Sequence, residues 1–164
     1  MATSADLTVW RITTRRFANP AALAFTGEGA RLYGGRWNRI GLPVVYAAQS
    51  RSLALLEMLV QDEPLRAHYV LIPAVIGKAV SRSSISMSDL PANWRNPQHR
   101  DALQAIGQRW LASGESCVLA VPSAVVPSEL NYLINPLHAD FAKIKIGKPE
   151  ALETDSRLMR PAGS

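Results

Sequence analysis

The chain has 164 residues, 48% of them hydrophobic and 19% charged, with one cysteine and a formal net charge of +5. That length fits one globular domain, which buries roughly 70% of its unfolded surface and needs no staple. Cys117 alone excludes a disulfide framework or a Cys-rich zinc site, and His68, His99 and His138 show no paired metal-ligand spacing. No apolar run approaches the ~20 residues of a membrane span. The polar start MATSADLT lacks the apolar core of a signal peptide. The expectation is a cytoplasmic, metal-free single domain over residues 1–147, followed by a polar, frayed tail over 148–164.

Leu7 to Ile12 (LTVWRI) reads as a first strand, with Trp10 and Ile12 facing one way and Arg11 the other. Residues 15–43 are low in periodicity and rich in Gly, Asn and Pro, and read as a long loop ending in GGRWNRIGLP. Long loops in compact domains are usually functional. Val44 to Ala47 is a short strand, and Ser50 caps a helix through about Val60, with Pro64 beyond its end. Residues 69–76 (YVLIPAVI) form a strand whose Pro73 argues for an edge or a bulge. Ser81 to Asn96 is Ser-rich and irregular. Gln98 to Leu111 reads as a helix with Ala102, Leu103, Ile106 and Trp110 inward. Cys117 to Val121 is a strand ending at Pro122-Ser123, a turn-rich stretch runs on to Pro136, and a last strand lies near Phe141 to Ile146. No internal repeat is present. The fold class is α+β.

The charge is uneven. Residues 1–60 carry seven arginines against Asp6, Glu28 and Glu57, a net of +4, and 14 of the 18 basic residues in the chain are arginine. Arginine's planar fork suits phosphate and carboxylate, so the field points to an anionic ligand. GC-rich coding would explain the arginine excess but not its clustering.

Glu57 is the most informative position. It is the only charge between Arg51 and Asp62, and at 100° per residue it lies about 40° from Leu53 and about 60° from Val60, on the border of the apolar stripe. A carboxylate there either pairs with an arginine to pin the helix or faces a cleft. Spacing alone leaves both open. In Gly34-Gly35-Arg36-Trp37-Asn38 the glycines permit positive φ or close approach to a ligand. A plain turn with a surface arginine fits as well, and Trp37 reads as core. The segment is neither a GxGxxG fingerprint nor a Walker loop. Ser123 has no nearby histidine, so a hydrogen-bonding role suits it better than a nucleophile elbow. Tyr46, just before the Glu57 helix, either stacks on a ring or fills the core, and Asn131 to Pro136 reads as a turn organised by Asn135.

Taken together, VWRI (9–12), GGRWNRIGLPVVYAAQS (34–50), LALLEML (53–59) and VPSAVVPSELNYLINP (121–136) resemble the RES domain, the toxin half of bacterial Xre–RES toxin–antitoxin pairs. The segments occur in the family's order and span most of the chain. The resemblance implies an ADP-ribosyltransferase-like fold, with a split mixed or antiparallel sheet flanked by helices. It implies cleavage of the nicotinamide–ribose bond of NAD⁺ by hydrolysis or phosphorolysis, depleting cellular NAD⁺ and arresting growth. Carried onto matching positions, Arg11 and Arg36 bind phosphates, Tyr46 packs on the nicotinamide side, Glu57 is the catalytic carboxylate, and Ser123 completes the pocket. Arg36 and Ser123 are thus expected among both the catalytic and the substrate-binding residues. No cofactor or metal is expected: NAD⁺ is substrate, with inorganic phosphate as an optional co-substrate. The implied partner is an Xre-type helix-turn-helix antitoxin covering the active site, nucleic acid being contacted only through it, with a homodimer left open.

This agrees with the residues. NAD⁺ offers a pyrophosphate to arginines, and its glycosidic bond breaks through an oxocarbenium-like cation that a carboxylate stabilises. Two other functions use the same features: transfer of ADP-ribose to a macromolecule on the same fold, and nucleic-acid binding by the basic first 60 residues. Against the second, no helix-turn-helix, RNP motif or finger is present.

Overall fold

The computed structural model describes residues 5–61 and 68–158. Eight strands, β1 (Leu7–Thr14), β2 (Val45–Ala48), β3 (Tyr69–Ile76), β4 (Arg82–Ser84), β5 (Val118–Pro122), β6 (Leu130–Ile134), β7 (Lys145–Ile146) and β8 (Glu150–Ala151), join three helices, α1 (Glu28–Tyr33), α2 (Arg51–Leu59) and α3 (Arg100–Ser113). The strand order is β4-β5-β6-β2-β1-β3-β7, with β8 also on β3. β4 runs parallel to β5 and the other pairs are antiparallel. β1 and β3 pair along all of β1, whereas β1 meets β2 at a single register, Trp10 opposite Ala48. The sheet therefore divides there into two leaves. This is the expected α+β fold with a split, mixed sheet.

Strand alternation sends side chains to two packed faces. Val9, Val45, Ala47, Ile72, Ala74, Val118, Tyr132 and Ile134 join Ala24 and Phe25 in one cluster. Trp37, Leu103, Trp110, Leu119, Val121 and Leu133 form a second, under α3. A third packs Leu53 and Ala54 of α2 on Ala48 and Leu71, with Trp10 and Ile12 at its edge. α2 lies against both β1 and β2, over the place where the leaves meet. Among the described residues no helix is long and apolar enough to cross a membrane.

Several expectations change. Residues 15–43 are not one loop: they hold 3₁₀ turns at Arg15–Phe17 and Ala21–Phe25, then α1. Six residues are too few for a helical period to show in a sequence window. The stretch read as a turn near Asn131 is β6, paired on both sides by β2 and β5. Tyr132 and Ile134 enter one core cluster and Leu133 another, so polar alternation is lost because both faces are covered. The expected strand near 141–146 is a 3₁₀ turn, Ala139–Lys143, and only Lys145–Ile146 is extended. Past Gly147 the chain is not wholly frayed, since Glu150–Ala151 pair with Leu71 and Val70. In α3 Ala102 is exposed and Gly107 takes a buried place instead. Pro73 falls between the β7 and β8 pairings of β3, where its missing N–H costs no ladder bond. Asp62 and Pro64 lie outside the described residues.

Candidate active site

The site grows from four segments around the end of β2. Gly34 ends α1 at φ +73°, a value that favours glycine. At Gly35 a methyl group would stand 2.6 Å from the Tyr46 hydroxyl, so the bare backbone makes room for a tyrosine rather than for a ligand. That hydroxyl donates to Asn38 Oδ1 at 2.5 Å and accepts from Trp37 N at 3.1 Å. Burial pushes the phenol up, which keeps it protonated and donating. Asn38, fully buried, donates in turn to the carbonyls of Ala30 and Arg39. Tyr46 thus anchors the 34–38 loop through its hydroxyl, and Trp37 is core, as its sequence context suggested.

Glu57 is presented by α2, whose start is fixed by Ser50 Oγ accepting from Leu53 N at 3.1 Å. Its Oε1 accepts from Ser123 Oγ at 2.6 Å and from Asn131 Nδ2 at 2.6 Å. Its Oε2 has no protein partner among the described residues. Glu57 is part-buried and makes no ion pair among the described residues, so helix-pinning by an arginine is not its role. Ser123 is fully buried just past β5, its oxygen accepting from Val125 N and Val126 N at 3.0 Å each. With its proton committed to Glu57, the Ser123 hydroxyl orients the carboxylate. Asn131 stands in β6 opposite Ala48 and Val121.

Arg36 lies close enough to this carboxylate for the two charges to interact, without an ion pair among the described residues. Burial lowers its pKa, the charge of Glu57 raises it, and Arg100 and Arg95 lower it again. The structure therefore brings Arg36, Tyr46, Glu57 and Ser123 together. It adds Asn131, Arg95 and Arg100, which sequence reasoning missed. Nothing in the spacing marked the two arginines, and misreading β6 as a turn hid Asn131.

Arg11 stands apart. Its strand neighbour on the same face, Val9, packs with Ala24 and Phe25, and its Nε donates to Ala24 O at 2.6 Å. Its Nη1 donates to Tyr46 O at 3.1 Å. Burial lowers its pKa to about 10, which leaves it charged at neutral pH. These bonds bracket β1, the 21–25 turn and β2 across the split, and among the described residues three N–H groups are left for other partners. Hollows of about 320 and 380 Å³ open elsewhere, one beside Arg82 and Tyr132, the other beside Leu42 and His138. Neither touches Glu57; chemistry rather than concavity locates this site. Among the described residues no three His, Cys, Asp or Glu gather as metal ligands.

The chain belongs to the RES domain family, whose model matches residues 8–155, nearly the whole of the sheet and its helices. Among individual proteins, it is 37% identical over 155 residues to Toxin Res of Photorhabdus laumondii, covering 93% of this chain and 97% of that one. It is 37% identical over 158 residues to the Prs ADP-ribosylating toxin of a Sphingobium species, covering 93% and 97%. NAD(+) phosphorylase MbcT of Mycobacterium tuberculosis is 29% identical over 96 residues, 57% of this chain and 50% of that one. The fold matches a chain of the crystal structure of the M. tuberculosis MbcT–MbcA toxin–antitoxin complex with a TM-score of 0.73 at 21% identity, covering 90% of this chain and 84% of that one.

Proposed function

We propose that this chain is the toxin of a toxin–antitoxin pair and that it breaks the nicotinamide–ribose bond of NAD⁺ in the cytoplasm. The observation that carries the reading is the half-committed carboxylate of Glu57: one oxygen is fixed by Ser123 and Asn131, the other is without a protein partner among the described residues. A carboxylate so held keeps its direction, and can stabilise the ribosyl cation or orient a ribose hydroxyl as the bond to nitrogen breaks. Nicotinamide departs as a neutral ring, so no general acid is required. Water then attacks C1 of the ribose and releases a proton, giving ADP-ribose; phosphate attacking the same carbon gives ADP-ribose 1-phosphate. Arg36 supplies positive charge for the pyrophosphate, and Arg11 contributes through its uncommitted N–H groups. Tyr46 builds the wall on the nicotinamide side while its hydroxyl holds the loop.

The name of the mycobacterial relative supports cleavage with phosphate. That of the Sphingobium relative favours a second reading, transfer of ADP-ribose to a macromolecule. Incubating the purified chain with NAD⁺, with and without inorganic phosphate, and identifying products by mass spectrometry separates them. Nicotinamide release matched by ADP-ribose or its 1-phosphate supports the proposal, whereas labelled macromolecule with little free product supports transfer. No nicotinamide release under any condition refutes both. The partner is an Xre-type antitoxin that covers the Glu57 site. Co-expression followed by purification should give a complex that NAD⁺ cannot enter, and a complex that still turns over NAD⁺ at the free rate rules out occlusion.

A further inference from the structure

The segments around Glu57 bring more arginines than the family motifs account for. Trp94 packs against Trp37 with ring centroids 6.3 Å apart, which brings the chain segments that carry Arg95 and Arg36 together. Arg95 Nε donates to Ala124 O at 2.7 Å, fixing it next to Ser123, the residue that holds Glu57. α3 is docked on the same loop: Gln104 Nε2 donates to the carbonyls of Gly35 and Asn38 at 2.9 and 3.2 Å. Gly107, where a methyl would stand 1.7 Å from Trp37 O, lets the helix come that close. Arg100 lies one turn before Gln104, on the same helix face and therefore beside the same loop. Among the described residues the arginines in ion pairs are Arg31, Arg39, Arg51 and Arg157. Arg36, Arg95 and Arg100 have none among the described residues, and the charges of Arg100 and Arg95 make Arg36 harder to protonate. Three like charges from three segments, gathered near one carboxylate, leave a net positive site.

We infer that Arg95 and Arg100, together with Arg36, form an anion subsite beside Glu57 that takes a phosphate group. This rests on the NAD⁺ reading for its substrate but not for its existence. The phosphate is either part of the NAD⁺ pyrophosphate or a free orthophosphate held for attack on the ribose, and both present oxygens that arginine forks match.

The test uses the full chain, its Arg100→Gln variant and the double variant Arg95→Gln/Arg100→Gln. The Arg100 side chain makes no protein hydrogen bond among the described residues, so the single variant should fold as the parent does. A control, Arg15→Gln/Arg109→Gln, removes the same charge at exposed positions outside these contacts. Orthophosphate and pyrophosphate are titrated into each protein by calorimetry, and KM is measured for NAD⁺ without phosphate and for orthophosphate at saturating NAD⁺. The inference predicts that Arg100→Gln weakens binding of at least one anion by about tenfold or more, the double variant further, and the control by less than about twofold. A rise in KM for NAD⁺ alone assigns the subsite to the pyrophosphate, and a rise for orthophosphate alone assigns it to the acceptor. Titrations and KM values that stay within about twofold of the parent overturn the inference, as does a parent that binds neither anion. If the parent binds anions yet releases no nicotinamide, the subsite stands and the catalytic reading falls.

Discussion

At the residue scale the site depends on how one carboxylate is held. Glu57 could be singled out from sequence because a lone charge at the border of an apolar helix stripe is unusual. Ser123 was placed in the same pocket only by the family resemblance and Asn131 was missed, because Ser123 follows β5, Asn131 lies in β6, and only the sheet pairing brings those positions to α2. Asn131→Ala removes one hydrogen bond to an ionised acceptor, an interaction worth about 1.5–3 kcal/mol. It should lower kcat for nicotinamide release roughly 10–100-fold, with KM for NAD⁺ far less affected. Steady-state kinetics check this; an unchanged kcat would show that Ser123 alone orients Glu57. Arg36→Lys keeps the charge and loses the fork, so its effect should fall on KM. A KM equal to that of the parent would remove Arg36 from phosphate binding.

At the element scale, the long periodic elements were legible and the short or doubly buried ones were not. α2 declared itself by its Ser50 cap and apolar stripe, and α3 by its apolar face. α1 was too short to show a period, and β6 lacked alternation because core covers both its faces. The inward role of Gly107 was invisible, since its meaning lies in the Trp37 backbone 70 residues earlier in the chain. Gly107→Ala should force α3 away from the 34–38 loop. An overpacked contact of this kind costs about 1–3 kcal/mol, and activity should fall with stability because Arg36 and Arg100 shift together. Thermal melting beside NAD⁺ turnover tests it. Ser50→Ala, by contrast, deletes a cap worth about 1 kcal/mol and should lower the melting temperature while leaving the Glu57 hydrogen bonds in place. A cap variant that melts like the parent would contradict that reading of the α2 start.

At the scale of the whole molecule, the site sits over a split sheet whose far side is tied by Asp140. Its carboxylate accepts from Lys143 Nζ at 2.8 Å, Ser81 N at 2.9 Å and Ser81 Oγ at 2.7 Å, which together hold its pKa well below the usual carboxylate range. A carboxyl whose pKa is lowered by folding stabilises the native state above its unfolded pKa of about 4, and that contribution is lost as pH falls below it toward the folded value. The gap in melting temperature between the parent and Asp140→Asn should therefore be full near neutral pH and shrink below about pH 4. A gap independent of pH would remove the ionised form from the account. The split itself, with Arg11 bracketing the two leaves, was legible only through the family resemblance and not through any strand pattern. The central claim is that Glu57 acts on NAD⁺ rather than on the fold, and Glu57→Gln tests it most directly. The amide oxygen can still accept from Ser123 and Asn131, so the variant should melt close to the parent. Loss of the charge should lower kcat for nicotinamide release roughly 10²–10³-fold, about 3–4 kcal/mol in the transition state. A Glu57→Gln protein that melts early but releases nicotinamide at the parental rate would contradict the account.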